Sequence, residues 1–225
     1  MRLATIAAAV LAATLALPAG AGAQSAGSLL WEQATRPGVS SGFELAIEVP
    51  GELRQKPMAG VTIKFAPGSR IDADGAPLCT APREQRVNEG HRAACPAGSE
   101  VGVGDATALA GSGTVDADLS FWNVRAPDRD LLNVEQLVNG QRVPPFSGTL
   151  GSGSIEFVFA SAQRIARITA TVRRNTETVG GEPVAYFRTP PVCTYSRRWK
   201  IRARLNFEDK TTRMLRAQVP CRRPR

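Results

Sequence analysis

Apolar side chains fall on every second position through most of this chain, and that period constrains it more than anything else. Phe43, Leu45, Ile47 and Val49 alternate around Glu44 and Glu48, and Val61, Ile63 and Phe65 around Thr62 and Lys64. The same rhythm returns at Val115, Ala117, Leu119 and Phe121, and at Ile155, Phe157 and Phe159. It returns again at Ala166, Ile168, Ala170 and Val172, and last at Trp199, Ile201, Ala203, Leu205 and Phe207. A period of two buries one face of a strand and wets the other, which a helix of period 3.6 cannot do.

Turn formers separate the runs: Pro50-Gly51, Pro67-Gly68, Asp74-Gly75, Gly111-Ser112-Gly113, Asn139-Gly140, Gly151-Ser152-Gly153 and Gly180-Gly181. Strands at this spacing predict an all-β fold, an antiparallel β-sandwich of jelly-roll or immunoglobulin-like kind. Asp130 to Val138 is the one stretch with a helical alternative; the Asn139-Gly140 hairpin signal after it favours a strand. In the last hairpin, pairing Leu205 with Leu215 puts Ala203 opposite Ala217 and Ile201 opposite Val219. Arg204 then faces Arg216, Arg202 faces Gln218, Cys221 comes opposite Trp199, and Asp209-Lys210-Thr211 is the loop. A slip of one residue would turn Arg216 into the core.

Residues 1–23 have the three parts of a secretory signal: Arg2, an uncharged apolar run from Leu3 to Leu17, and Ala21-Gly22-Ala23 before a cut. The run of 15 residues is shorter than the ~20 a spanning helix needs. The expected product is a single secreted domain, 24–225; a two-lobed layout breaking near Pro127 to Arg129 is the less economical alternative. Export places Cys79, Cys95, Cys193 and Cys221 in an oxidising compartment, where an even number of cysteines reads as disulfides. Of the three pairings, the local one is expected, Cys79–Cys95 and Cys193–Cys221, because each brackets a compact segment. No C-x-x-C spacing occurs and His91 is the only imidazole, so neither a metal nor a cofactor is expected.

Two blocks resemble a known group. Pro77-Leu78-Cys79 is followed by Ala94-Cys95-Pro96-Ala97-Gly98-Ser99-Glu100-Val101-Gly102-Val103-Gly104-Asp105-Ala106. This is similar to the P-x-C…C-P-x-x-S-x-V-G-x-G-x-A block of uncharacterised secreted β-sandwich proteins from high-GC Gram-positive bacteria. Thr189-Pro190-Pro191-Val192-Cys193, then Trp199, Phe207-Glu208-Asp209 and Cys221, resembles their closing segment, although Asp209-Lys210 stands where those proteins often have Asp-Gly. The resemblance spans Val61 to Cys221 and implies the same two local disulfides, a β-sandwich and export. The group has no assigned activity, so no catalytic residue is carried over.

The candidate chemistries mostly fail on context. Gly38-Val39-Ser40-Ser41-Gly42 matches G-x-S-x-G, but a nucleophile elbow needs a strand before it and a helix after it. Here a Pro37 loop precedes it and a strand follows, so it reads as a lead into the first strand. His91, among Arg83, Arg86 and Arg92, reads as a solvated loop residue with no nucleophile or orienting acid near it in sequence. Asp72-Ala73-Asp74-Gly75 starts like a calcium loop, but position 83 is Arg where the bidentate Glu belongs, leaving a tight turn. For sugar chemistry, Glu44 and Glu48 would stand roughly 13 Å apart along a strand, whereas Asp116 and Asp118 would stand ~6.6 Å apart. Trp122 projects to the same side as Asp116 and Asp118, as a sugar-stacking ring would. These three make a carbohydrate-binding or carbohydrate-acting site the alternative function.

The formal charge of +8 is unevenly placed. Residues 24–163 hold 11 basic and 16 acidic side chains; residues 164–225 hold 16 basic and 4 acidic. Lys200, Arg202, Arg204 and Arg216 share the outer face of the last hairpin, flanked by Arg197, Arg198, Arg222, Arg223 and Arg225. Such a face attracts polyanions by counterion release. Outside a cell these are anionic cell-wall polymers, acidic glycans, lipid head groups and free DNA. Specific nucleic-acid recognition is not expected, because aromatics are not interleaved with the basic residues beyond Trp199, which points inward. The expected function is therefore a non-enzymatic secreted or cell-surface module, binding or structural, touching anionic envelope polymer through this hairpin.

Overall fold

A computed structural model describes residues 27–222. The expected signal peptide, and Arg223 and Arg225, lie outside the described residues. The chain runs β1 (Ser28–Gln33), β2 (Phe43–Glu48), β3 (Met58–Lys64), β4 (Arg70–Ile71), α1 (Arg83–Glu89), α2 (His91–Ala94), β5 (Glu100–Ala110) and β6 (Gly113–Arg125). It continues through β7 (Asp130–Val138), β8 (Gln141–Gly151), β9 (Ser154–Gln163), β10 (Ile165–Val172), β11 (Thr176–Val179) and β12 (Glu182–Ala185). It closes with β13 (Phe187–Arg188), β14 (Arg198–Phe207) and β15 (Thr212–Pro220).

Eleven strands form one sheet in the order β1-β2-β10-β5-β6-β7-β8-β9-β3-β14-β15, every pair antiparallel. The sheet curls over a single apolar core until its first and last strands lie against each other, and Arg222 N–H donates to Thr35 O there at 2.8 Å. The two layers of the expected sandwich are thus continuous. Pairing is irregular next to Gly60 and Gly102, and such bulges bend a strand and increase its twist. On β5, Gly104 lets β10 approach closely: a Cβ there would stand 2.1 Å from Thr169 O.

The inward alternation holds on β2, β3 and β14, where Phe43, Leu45, Ile47, Val61, Ile63, Ile201, Ala203 and Leu205 are all buried. Trp31 stacks on Phe43 with ring centroids 4.6 Å apart, and Phe65 and Phe187 close on the same pair. Asp130 to Val138 is a strand, and Asn139 and Gly140 both take positive φ, as a two-residue hairpin turn requires. Asp72 to Gly75 is a tight turn in which Asp72 Oδ1 accepts from Asp74 N–H at 3.1 Å. Both local disulfides are present, with Cα–Cα distances of 5.0 Å for Cys79–Cys95 and 5.6 Å for Cys193–Cys221.

Three features differ from expectation. β1 precedes the Gly38–Gly42 segment, and its period was hidden because Leu30, between buried Leu29 and Trp31, points outward and is 65% exposed. The Cys79–Cys95 segment is helical: Arg83 to Glu89 is made of good helix formers after Pro82, and Gly90 with φ 86° ends the turn. Finally, the last hairpin is two residues out of the expected register. Trp199 pairs with Val219, Ala203 with Leu215, and Arg204 with Met214, around the loop Glu208-Asp209-Lys210. Asp209 sets that loop by accepting from Thr211 N–H at 3.0 Å and from its hydroxyl at 2.6 Å, and Lys210 supplies the positive φ.

Candidate functional site

The corrected register changes which cations meet. Arg202 pairs with Arg216 on one side and with Lys64 of β3 on the other. One straight row of three cations therefore crosses three strands, about 4.8 Å apart. Lys200 and Arg204 extend it along β14, roughly 6.6 Å to either side. Lys64, Lys200, Arg202, Arg204 and Arg216 are all exposed. Like charges placed directly opposite destabilise a sheet, and no carboxylate offsets them: none of the five forms an ion pair among the described residues. Glu177, Glu182 and Glu208 do not reach them either.

Four of these five cations are the residues expected from sequence. Lys64 is the one that was missed. Its outward direction was legible from Val61, Ile63 and Phe65, but no local pattern says that β3 lies beside β14. Below the face, Trp199 is buried and its Nε1 donates to Val192 O at 3.1 Å, packing the Cys193–Cys221 bridge against Ala66. Arg198, opposite Pro220, adds a sixth exposed cation at one end of β14.

The alternative site does not assemble. Trp122 is on the outer side of β6 as expected, but α2 and the Cys79–Cys95 bridge cover it, leaving it 2% exposed. His91 lies over it with ring centroids 5.6 Å apart and 29° between planes. No sugar can stack on that ring. Asp116 accepts a hydrogen bond from the Thr107 hydroxyl at 2.7 Å, and Asp118 faces Asp105 across the strands. The carboxylates thus stay on an open polar surface without the aromatic platform the reading needed.

His91 is also corrected. It is 1% exposed and forms part of the seal over Trp122, so it is not a solvated loop residue. Glu135, 44 residues away in sequence, brings a carboxylate oxygen within 3.8 Å of its Nδ1 and accepts from its backbone N–H at 3.3 Å. Burial pushes the imidazole below its ordinary range, against the opposing pull of Glu135. Ser40 and Ser41 have no such neighbours: Ser40 Oγ meets Thr176 Oγ1 at 3.0 Å, and the Ser41 hydroxyl hydrogen bonds Ala34 N–H. The G-x-S-x-G match is therefore connecting structure.

No family model matches the chain, and no curated protein or solved structure matches it.

Proposed function

We propose that this protein is a secreted, non-enzymatic binding module that holds anionic cell-envelope polymer on the outer face of β3, β14 and β15. The observation that carries this reading is the row Lys64–Arg202–Arg216, flanked by Lys200 and Arg204, with no carboxylate among the described residues to neutralise it. A fold tolerates opposed like charges at a cost, and a polyanion laid across the row removes that cost while releasing its own counterions. The regular spacing suits a repeating charged chain better than one small anion. Two disulfides support an oxidising, extracytoplasmic setting, where wall phosphates and acidic glycans are the abundant polyanions.

The test is co-sedimentation of the protein with isolated cell wall at low salt. Binding is expected at about 50 mM salt and should fall roughly 50-fold by about 200 mM if four cations engage phosphate. Changing Lys200, Arg202, Arg204 and Arg216 to Glu should abolish it. Failure of the unaltered protein to sediment with wall at low salt refutes the proposal.

A further inference from the structure

A second site lies beside the Trp122 cluster, whose cross-strand neighbour Asn133 and packing partner Leu131 both line it. A cleft of about 930 Å³ opens between α1 and the outer surface of β7, β8 and β9. Its floor is a cross-strand row: Asn133 of β7 pairs with Ser147 of β8, and Val158 of β9 continues the line. Its apolar walls are Val87 and Leu131. Val87 and Val158 are 44% and 67% exposed, so the apolar surface faces open space.

The polar groups of this cleft are unusual. Arg86 is 9% exposed, yet no carboxylate pairs with it among the described residues. Its Nη1 donates to Ala81 O, while its Nε–H is buried without a partner. Arg83, one turn earlier on α1, adds a like charge, and together with burial it pushes the Arg86 guanidinium down from its ordinary range. Arginine nevertheless stays protonated in proteins, so the buried charge persists. Asn133 is 5% exposed and its Oδ1 has no hydrogen-bond partner. The remaining arginine of the wall, Arg125, is already held by Asp74 and Asp130, each at 3.0 Å. Among the described residues, no acidic side chain lines the cleft.

An uncompensated buried guanidinium beside an open apolar surface fits one chemical class of ligand. We propose that this cleft binds an organic acid with an elongated apolar body, its carboxylate on Arg86 and Arg83 and its chain along Val87, Leu131 and Val158. A planar carboxylate matches the guanidinium fork and satisfies the idle Nε–H. The apolar body then covers surface that water now wets, and the volume lies within the range of small-molecule sites. This site is separate from the cationic row on β3, β14 and β15 and does not depend on it.

The test is calorimetric titration of the oxidised full chain with dodecanoate below its micelle-forming concentration. Methyl dodecanoate is the neutral control. Saturable binding at one site per chain is expected for the acid, with the ester at least roughly tenfold weaker. Arg86→Gln should weaken the acid by a similar factor. Should that variant disturb α1, Val158→Asp, an exposed substitution on the rim, should also weaken it about tenfold. Arg202→Gln with Arg216→Gln should leave the titration unchanged. Absence of saturable dodecanoate binding overturns the proposal, as does equal binding of acid and ester or indifference to both cleft variants.

Discussion

On the arc of sheet formed by β2, β10, β5 and β6, acids sit among groups that take up part of their charge. Arg167 reaches Glu48 at 3.1 Å, the Thr169 hydroxyl donates to Asp105 at 2.9 Å, and Thr107 donates to Asp116. Like charges are opposed here too, Asp105 to Asp118 and, at the border with β1, Glu44 to Glu32. Among the described residues, only Glu44 and Asp118 of this arc, and Glu32 of the neighbouring β1, form no side-chain hydrogen bond or ion pair. On the arc formed by β3, β14 and β15, Lys64, Lys200, Arg202, Arg204 and Arg216 form no ion pair among the described residues. The same strand geometry therefore carries two kinds of charged surface. Where hydroxyls and opposite charges are interleaved, a charge cluster is part of the fold. Where the fold supplies nothing, the charge is available to another molecule.

The largest effect that separates the arcs concerns their cover. The acidic arc runs at the end of β6 beneath the helical cap, so Trp122→Ala should lower unfolding stability by about 3–5 kcal/mol in a denaturant titration. Arg204→Ala, also outward but uncovered, should change it by no more than about 0.5 kcal/mol. Equal losses would show that exposure does not distinguish the two faces. Next comes binding. Reversing Arg202, Arg204 and Arg216 to Glu should reduce affinity for a long polyphosphate by roughly a hundredfold at low salt. Reversing Asp105, Asp116 and Asp118 to Lys should not weaken it. If both triple variants lose binding alike, the polyanion is reading overall charge and the row has no special part.

How much of this contrast was written locally in the chain can be seen in the last hairpin. Which residues of β14 face out was legible, because period two fixes the face of every side chain. Which cations touch was not. A shift of two residues preserves the faces, so hydrophobic alternation cannot tell Arg204–Arg216 from Arg202–Arg216. The turn decided it, through the Asp209 side chain closing on Thr211. Trp122 failed for a related reason. Its outward direction was correct, but the cap that buries it comes from a segment 30 residues earlier, and Glu135 reaches His91 from 44 residues away. Local patterns give strand, face and turn; strand neighbours and covers are long-range. The Cys79–Cys95 pairing was the one long-range contact in the cap that composition and spacing could suggest.

Smaller effects sharpen the comparison by sign. Arg202→Gln removes a like charge from the centre of the row and should raise stability by about 0.2–1 kcal/mol at low salt. Asp116→Ala removes the acceptor of the Thr107 hydroxyl and should lower stability by about 0.5–1 kcal/mol. Thermal melts at low and high salt check both, and the Arg202 gain should shrink as salt screens it. If neutralising Arg202 destabilises the fold, the row is held by something within the protein and is not a waiting surface.

The smallest expected effect is a pH response in the turn that joins the two basic strands. Asp209 accepts from Lys56 Nζ at 2.6 Å as well as from Thr211, and these bonds hold its carboxyl at about 2, below the usual 3.8. A carboxyl with a depressed pKa in the folded state stabilises it above its unfolded pKa, and that contribution fades as pH falls through the folded value. The turn should therefore hold above about pH 4 and loosen toward pH 2. Lys56→Met, which removes the first of these bonds, should move the midpoint of the Asp209 titration upward toward 3.8 by NMR. An acid-induced loosening should then appear in Thr211 and Asp209 resonances while Arg202 and Arg216 stay still. Simultaneous movement of the row would mean that turn and face titrate as one unit, and that the basic arc is tied to the acids of its own hairpin after all.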